Sequence, residues 1–258
     1  MHTIEAEAIE ELKRIRNLKK LYYIGDLRLL KRRKVSIVGS RRPTLYAKEK
    51  TFELSSALAR RGVAVVSGAA MGVDAAAHRG AGAANTIAVV AGGLDIKYPS
   101  INRNLIQSIE EKGLVISRFE PGFRPAKWSF VVRNEIVVAL GEVLVITEAD
   151  MGSGSIRSAE YALKAGKKIY VLPHKIDNSK GTNRLLKESL AEPIYDIEEF
   201  ADMFGNMCED SKNDEFLEFC RKNPTFEEAL QKFGERVFEA ELEGDIEIKH
   251  GKVFLIFA

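Results

Sequence analysis

Cysteine is almost absent from this sequence, since Cys208 and Cys220 are the only two among 258 residues. Two cysteines close together near one end are more typical of reduced thiols than of a disulfide framework or a metal pair. The four histidines lie far apart, and none has metal-ligand spacing to a cysteine or to another histidine. We therefore expect no structural metal.

Long hydrophobic runs are missing too. No apolar stretch approaches the ~20 residues that a membrane span needs. The first residues, Met1, His2 and Thr3, are followed by glutamates and lysines rather than by an apolar signal region. With 45% hydrophobic and 29% charged residues, the composition is typical of a soluble globular protein. We expect a cytoplasmic protein that has no membrane partner.

The sequence also lacks the common signatures of nucleotide-dependent and hydrolytic enzymes. It has no Gly-Lys-Ser/Thr phosphate loop for ATP and no Gly-Xaa-Ser-Xaa-Gly nucleophile elbow. The run from Gly152 to Ser158 begins like a dinucleotide fingerprint but ends in serine rather than glycine. No acidic residue closes a following strand in the ribose position. We therefore predict no cofactor.

What the sequence does contain is a regular alternation of strand-like and helix-like segments. Apolar runs rich in Val and Ile occur at residues 35–38, 63–67, 86–91, 114–117, 143–147, 168–173 and 193–196. Helical patterns lie between them, at residues 46–61, 74–83, 101–112, 129–140, 155–165 and 183–190. Near-continuous apolar strands separated by helices predict a mainly parallel sheet covered on both faces. The sequence thus predicts an α/β protein with a Rossmann-like domain over residues 31–205.

The segment before this domain, residues 1–30, has apolar side chains at a spacing that suits a helix. Ile9, Leu12, Ile15 and Leu18 are separated by polar and mostly charged residues. We predict a short N-terminal helical segment here.

A shift in composition at residues 205–213 predicts a linker, and residues 213–258 are predicted to form a second, smaller domain. Three short helical patterns are followed by two alternating strands around His250 and Gly251, which suit a hairpin turn. Three helices and a hairpin are the order of a winged-helix domain. The acidic side chains of the last helix disfavour duplex DNA, and they are Glu235, Glu239, Glu241 and Glu243.

The first strand of the predicted sheet leads into a glycine turn with two arginines. The run KVSIV at residues 34–38 is followed by GSRRPT and then by a helical segment. Such a turn presents backbone N–H groups and a helix N-terminus at the carboxyl edge of a sheet, where anions bind. Arg41 and Arg42 could each donate two hydrogen bonds to a phosphate, although solvated arginines on an ordinary turn are the alternative. Basic residues dominate from Lys13 to Arg61, which also favours a polyanion site.

A second motif follows the next strand. Ser67 and Gly68 end that strand, and Asp74 and His78 lie one turn apart on the following helix. The two side chains could form an acid–base dyad, but such a pair more often caps a helix start and ties it to a neighbouring loop. We therefore favour the structural role.

A third feature is the run RPAKWSFVVRNE at residues 124–135, which mixes basic and aromatic side chains where the chain enters a helix. Aromatic faces stack on bases while Lys and Arg meet phosphates, so this composition suits single-stranded nucleic acid. Core packing of Trp128 or Phe130 is the alternative for either ring taken alone.

Taken in order with the glycine-containing loops at 91–99 and 152–159, these motifs resemble the DprA/Smf family of DNA-processing proteins over residues 35–196. The resemblance implies an extended Rossmann fold, no catalysis, a homodimer and sequence-independent binding of single-stranded DNA. It also implies loading of the RecA recombinase onto DNA taken up in natural transformation. Carried over by position, the DNA site would consist of Gly39, Ser40, Arg41, Arg42, Ser67, Gly68, Lys127, Phe130, Arg133 and Asn134.

The sequence departs from the family pattern at two positions. Glu135 stands where the family usually has arginine. Because a carboxylate repels phosphate, we expect Glu135 to face away from the DNA strand. His174 stands where glycine is common after a strand.

The competing hypothesis is an enzyme that cleaves nucleoside monophosphates to base and ribose phosphate. Related Rossmann proteins of that class have a glycine-rich phosphate loop followed by a glutamate, and Gly152 to Ser155 with Glu160 could be interpreted in that way. Those enzymes characteristically show Pro-Gly-Gly-Xaa-Gly-Thr, whereas this loop is Met-Gly-Ser-Gly-Ser. A DNA-binding protein without catalysis is therefore our first hypothesis.

Overall fold

The computed structural model describes residues 1–207, 215–220, 222–243 and 245–255. The chain divides into two compact units, Met1–Asn206 and Met207–Ala258. The first thirty residues, predicted as a separate segment, belong to the first unit. Of the two predicted thiols, Cys220 is buried, whereas Cys208 lies outside the described residues.

Within residues 1–207, one sheet dominates the architecture. Its nine strands are β1 (His2–Glu5), β2 (Lys20–Gly25), β3 (Lys34–Val38), β4 (Ala64–Ser67), β5 (Thr86–Val89), β6 (Leu114–Ser117), β7 (Val143–Ile146), β8 (Ile169–Val171) and β9 (Glu192–Pro193). Their order across the sheet is β1-β2-β6-β5-β4-β3-β7-β8-β9. The pairs β1–β2 and β2–β6 are antiparallel, and the pairs from β6 to β9 are parallel. The predicted mainly parallel sheet is confirmed.

Helices cover both faces of this sheet. They are α1 (Leu45–Ala59), α2 (Val73–Ala81), α3 (Arg103–Lys112), α4 (Lys127–Leu140), α5 (Gly154–Lys164), α6 (Lys180–Lys187) and α7 (Ile197–Asp202). Because side chains alternate along a strand, Val35 and Ile37 pack towards α1 and α2, whereas Val38 packs towards α4 and α5. None of the helices in the described ranges is long and apolar enough to cross a membrane.

The prediction of a helix over residues 1–30 is wrong. The segment forms β1, two short 3-10 turns at Ala6–Ala8 and Glu10–Leu12, then β2 and a third 3-10 turn at Leu27–Lys31. The amide of Ile9 donates to the carbonyl of Ala6 at 3.1 Å, and the amide of Leu12 donates to the carbonyl of Ile9 at 3.0 Å. A spacing of three residues places these apolar side chains on one side of a chain that turns every three residues. The four side chains on which the helix was predicted are all buried in the core under α4, namely Ile9, Leu12, Ile15 and Leu18.

The second unit has its own small core. It contains α8 (Glu215–Cys220), α9 (Phe226–Phe233), α10 (Arg236–Glu243), β10 (Ile246–Lys249) and β11 (Lys252–Leu255). The two strands form an antiparallel hairpin around His250 and Gly251, both with positive φ. Buried side chains of the helices and the hairpin pack together, among them Phe216, Val237 and Val253. The helices and strands follow in the predicted order, and the winged-helix assignment stays a prediction.

The N-terminal segment should contribute directly to stability. Leu12 is 1% exposed, so Leu12→Ala is expected to lower the free energy of unfolding by about 2–5 kcal/mol through lost burial and a residual cavity. Chemical denaturation of the two proteins measures this difference. The neighbouring Lys13→Ala, which removes only an exposed ion pair with Glu10, should change it by about 0.5 kcal/mol or less. Equal stability of Leu12→Ala and the unmodified protein would contradict the assignment of this segment to the core.

Candidate nucleic-acid interface

The order in which strands are added to the sheet reverses at β3, because β3 pairs with β4 on one side and with β7 on the other. The loops after β3 and β7 therefore diverge, and such switch points at the carboxyl ends of strands are where open α/β sheets bind ligands. A cavity of about 590 Å³ lies here. Seven of the ten predicted site residues line it, namely Gly39, Ser40, Arg41, Lys127, Phe130, Arg133 and Asn134.

A buried glutamate at the end of β7 holds the arginine turn in place. The Glu148 carboxylate accepts hydrogen bonds from Thr44, at 3.0 Å from the amide and 2.6 Å from the hydroxyl. The backbone carbonyl of Glu148 accepts from the amide of Ser40 at 2.8 Å. Thr44 also caps α1 by accepting from the amide of Ala47. Both ends of the turn are thus fixed, and Arg41 between them is left exposed.

The glycine-containing loop after β4 packs directly against the arginine turn. Gly72 has a φ of +78°, and a Cβ atom there would lie 2.4 Å from the carbonyl oxygen of Ser40. The next amide, that of Val73, donates to the same carbonyl at 3.1 Å. Only glycine permits both the conformation and the close approach.

A buried ion pair forms the floor of the cavity. Arg133 on α4 is 4% exposed, and its Nη1 lies 3.5 Å from the Oδ2 atom of Asp74 on α2. Burial lowers the pKa of Arg133, the charge of Arg41 adds to that effect, and Asp74 opposes it. A Cβ atom on Gly68 would lie 1.0 Å from Nη1, so glycine is required for the arginine to pass. Nε of Arg133 has no hydrogen-bond partner among the described residues.

His78, the second member of the suspected dyad, has both ring nitrogens engaged in the fold. Nε2 accepts from the amide of Ala69 at 3.2 Å, and Nδ1 lies 2.6 Å from the hydroxyl of Thr86, which itself donates to the carbonyl of Val65. These partners define a neutral ring with the proton on Nδ1. Burial, followed by the charge of Arg133, lowers the pKa of His78 to about 3. The geometry agrees with the structural role that the sequence favoured.

Aromatic and basic side chains surround the mouth of the cavity. Phe130 is half-buried, with the Arg41 guanidinium 4.9 Å from its ring centroid and the Tyr98 ring at 5.8 Å. Lys127 is exposed, and Tyr98 is 49% exposed. A cation over an aromatic face and a second ring beside it form a platform on which a planar base could stack.

The N-terminus of α5 also faces the cavity, although the sequence had not predicted it as part of the site. Ser153, Gly154, Ser155 and Arg157 line the cavity, and Ser155 Oγ donates to the carbonyl of Gly39 at 2.9 Å. The first turn of a helix has free amides and a partial positive charge, which favour anions. The sequence signal is the glycine-rich run after a strand, which the sequence analysis interprets as an incomplete dinucleotide fingerprint or as the phosphate loop of an enzyme, and not as part of a DNA site.

Three predicted residues lie outside the lining of the larger cavity. Gly68 lines a smaller adjoining space of about 30 Å³ that shares Arg41 and Phe130 with it. Ser67 is fully buried, and its hydroxyl donates to the carbonyl of Ile37 at 2.7 Å, so its contact is with the fold. Arg42 is exposed on the turn beside the cavity.

Two other positions singled out in the sequence have structural contacts. Trp128 packs edge-on against Phe119 and Phe123, although it remains 55% exposed. His174 lies with Nε2 2.7 Å from the carbonyl of Thr147, which places it as a donor that joins two sheet-edge loops.

The charges that line the cavity are mainly positive. The cations are Arg41, Lys127, Arg133 and Arg157, and the acids are Asp74 and Asp150. Asp74 is already paired with Arg133, so the surplus is positive and suits a polyanion. Among the residues that the structure describes, no group of three or more His, Cys, Asp or Glu side chains could hold a metal ion.

Fold and site together define a Rossmann-like protein with a cationic, aromatic-rimmed cavity at the switch point of its sheet. A sequence model of the family described as DNA recombination-mediator protein A matches residues 6–205, and the chain belongs to this family. The resemblance to DprA/Smf proteins is thereby confirmed.

Several relatives share both sequence and fold. The chain is 36% identical over 198 residues to the putative DNA processing protein DprA of Mycobacterium tuberculosis, covering 74% of this chain and 51% of that protein. It is 37% identical over 172 residues to DprA of Streptococcus pneumoniae, covering 65% and 61%. The chain thus spans between about half and three fifths of the length of these curated relatives.

A solved structure of DNA processing protein A from Helicobacter pylori, described for its unique single-stranded DNA binding mode, is 42% identical. It superimposes with a TM-score of 0.74 over 79% of this chain and 93% of that chain.

The neutral, buried His78 should make stability depend on pH. Its pKa of about 3 in the fold lies below the usual 6.5, so the unfolded chain takes up a proton below pH 6.5 while the folded protein does not. From pH 7 to pH 5 this difference should lower the free energy of unfolding by about 2 kcal/mol. Urea denaturation at both pH values measures the change, and His78→Asn serves as the control because asparagine does not titrate. The same pH dependence in both proteins would show that His78 is not its source.

Proposed function

We propose that this protein binds single-stranded DNA at the switch-point cavity, with little preference for sequence, and acts as a recombination mediator. The observation that supports it best is the combination of a cationic cavity with a half-exposed aromatic platform of Phe130 and Tyr98. Cations alone would suit any polyanion, whereas an aromatic ring offers a stacking surface only to bases that are unpaired. The Helicobacter pylori relative described for single-stranded DNA binding supports the same function.

Each group has a separate task in the proposed complex. Arg41, Lys127 and the first turn of α5 meet phosphates, while Phe130 stacks on a base and Arg42 adds positive charge beside the cavity. Gly39, Ser40 and Asn134 shape the surface against which the backbone of the strand lies. Gly68 and Ser67 act indirectly, because they give room and support to the buried Arg133 and to the loop. Phosphate contacts and stacking do not read base edges, so binding is insensitive to sequence.

The description of the family as a DNA recombination mediator supports a wider role in recombination. In this proposal the bound strand is passed to the RecA recombinase during natural transformation. In this proposal the protein works in the cytoplasm as a homodimer and catalyses no reaction. Asp74 forms an ion pair with Arg133, and His78 accepts a hydrogen bond from a backbone amide. Both side chains therefore have structural contacts, which is consistent with the absence of catalysis.

The alternative function, an enzyme that cleaves nucleoside monophosphates to base and ribose phosphate, has less support from the geometry. It requires a carboxylate next to the glycine-rich loop, and Glu160 was the candidate. Glu160 is exposed on α5 and is not among the residues that line the cavity. Incubation with nucleoside monophosphates, followed by chromatography for free base, tests this function directly, and we expect no release.

The binding proposal is tested by fluorescence anisotropy with labelled oligo-dT and a matched duplex. We expect tight binding of the single strand, weak binding of the duplex and a steep loss of affinity with salt. Equal affinity for both DNA forms, or a flat salt response, would overturn it.

Lys127→Ala and Arg41→Ala should each weaken the binding of oligo-dT and reduce the slope of log affinity against log salt by about 0.7, the value for one lost phosphate contact. Because both side chains are exposed, the melting temperature should stay nearly unchanged. Arg103→Ala is the matched control, since Arg103 is exposed on α3 and lines neither cavity described above. A loss of affinity as large in the control as at the site would point to a general charge effect.

Removal of the second unit tests where the DNA site lies. A chain that ends at Met207 keeps the whole sheet and the whole cavity, so we expect a folded fragment that binds oligo-dT as tightly as the complete chain. The acidic second unit then serves a protein partner, because an acidic surface repels phosphate. Size-exclusion chromatography checks the fold, and anisotropy checks the binding. A soluble, folded fragment without affinity for DNA would place the site in the second unit.

A further inference from the structure

A second and larger cavity lies beside the first. It has a volume of about 790 Å³ and runs between the N-terminal 3-10 turns and the helix pair α4 and α5. Arg14, Ile15 and Arg16 line one wall, and Val138 on α4 and Lys164 on α5 lie opposite. We call this space the α4–α5 groove. Nothing in the proposed function uses it.

Tyr161 lies at the boundary between the groove and the switch-point cavity, because it is a lining residue of both. Arg157, Tyr161 and Lys164 follow at i, i+4 and i+7 on α5, so they lie along one face of the helix. Arg157 lines the first cavity and Lys164 lines the groove. From Gly154 to Lys164 the helix rises by about 15 Å, which is the distance along α5 that a strand occupying both cavities would span.

The free charges of the groove are mostly positive. Arg14, Arg16 and Lys164 are exposed, and none of them has an ion-pair partner among the described residues. Two of the lining acids are already paired, since Glu10 binds Lys13 and Glu11 lies 2.8 Å from Lys34.

The remaining charged groups of the groove are Lys167 and Glu135. Lys167 donates to the backbone carbonyls of Ala139 and Gly141 at the end of α4, so its charge is held by the fold. Glu135 is half-buried and lines the groove, not the first cavity. It is the one lining carboxylate for which no ion pair is present in the described part of the chain. Three free cations against one carboxylate leave the groove attractive to an anion.

The groove also has a surface that suits bases. The buried Ile15 and the half-buried ring of Tyr161 contribute apolar area between the cations. Burial, and then the charge of Glu135, raises the pKa of Tyr161, so its ring stays neutral at physiological pH. Proteins that bind single strands combine cations, which contact the nucleic-acid backbone, with aromatic rings, which stack on the bases.

We propose that the α4–α5 groove is a second subsite for the same DNA strand, which continues from the switch-point cavity past Tyr161. Arg14, Arg16 and Lys164 contact its phosphates, and Tyr161 stacks on a base at the junction. The inference rests on the proposed function, because the strand must first occupy the switch-point cavity. It adds the direction in which a longer strand leaves that cavity, across α5 towards the N-terminal segment.

The subsite predicts a dependence on strand length. An oligo-dT of about 4 nucleotides reaches one cavity, and one of about 16 nucleotides reaches both, in line with the site sizes of single-strand binders. The double variant Arg14→Glu and Lys164→Glu should bind the longer strand about tenfold or more weakly, with a salt slope reduced by about 1.4 for two lost phosphate contacts. Its affinity for the short strand should be unchanged. Arg103→Glu, which reverses one exposed charge on α3 where the double variant reverses two, is the control for net charge. An effect of net charge alone would give it about half of the double variant's loss in log affinity.

Two conservative variants add independent tests. Glu135→Gln removes the opposing carboxylate and should strengthen binding of the long strand about two- to fivefold. Tyr161→Phe keeps the ring and should bind like the unmodified protein. Tyr161→Leu should weaken the long strand about fivefold or more, and it should weaken the short strand less, because Tyr161 also lines the switch-point cavity. Melting temperatures show whether each variant remains folded.

The possible outcomes separate the two proposals. If the folded double variant binds the long strand with unchanged affinity and salt slope, the proposal of a second subsite is overturned. Equal losses of affinity for the short and the long strand would overturn it too. A loss in Arg103→Glu of about half the double variant's loss in log affinity, or more, would overturn it as well, because the effect would then be one of net charge. If the unmodified protein binds neither strand, the proposed function itself fails. A loss confined to the long strand in the double variant, together with a larger loss for the long strand than for the short strand in Tyr161→Leu, supports the subsite.

Discussion

The ion pair between Arg133 and Asp74 is the interaction on which the site depends. It joins α4 to α2 across the carboxyl edge of the sheet, and both side chains are nearly inaccessible to water. Burying two charges costs several kcal/mol per ion, and removal of one partner leaves the other unpaired, typically at about 3–5 kcal/mol. The ion pair therefore serves to position α4 more than to stabilise the fold. It fixes α4, and with it Lys127 and Phe130, relative to the glycine loop that supports the arginine turn.

The other fixed points of the site follow the same pattern. Glu148 is buried, and it orients Thr44 and Ser40 without facing the cavity opening. Gly68 and Gly72 let neighbouring groups come closer than any side chain would allow. These residues set the geometry of the exposed Arg41 and Lys127, so that the cations which meet a ligand do not also have to hold the fold together. A flexible lysine or arginine on such a support loses less freedom on binding than one on a mobile loop.

The sheet could be predicted because buried parallel strands appear as continuous Val and Ile runs between helices. The N-terminal segment could not, because Ile9, Leu12, Ile15 and Leu18 fit a helix of 3.6 residues per turn nearly as well as a 3-10 chain of three. Their strict three-residue spacing, which begins at Ala6, is the feature of the sequence that distinguishes the 3-10 turns from an α-helix.

Within the site, motif order predicted which loops come together, but burial was not visible in the sequence. Arg133 and Ser67 were predicted as members of the DNA site together with Lys127, and both are buried. Glu148 and Tyr98 resemble ordinary loop residues until the fold brings Glu148 to the arginine turn and Tyr98 to the cavity. Sequence patterns report on local structure, whereas the contacts of these four residues join segments that lie far apart in the chain.

The antiparallel pairing of β2 with β6 has a consequence for synthesis of the chain. Tyr22 lies opposite Ser117, so the strand that follows the N-terminal turns pairs with one made 95 residues later. At the usual 5–20 residues per second, β2 waits roughly 5–20 s for its partner strand. During that interval the apolar side chains of the N-terminal turns lack the β6 strand and the α4 helix that cover them in the folded protein, so this segment can complete its burial only after both have been made.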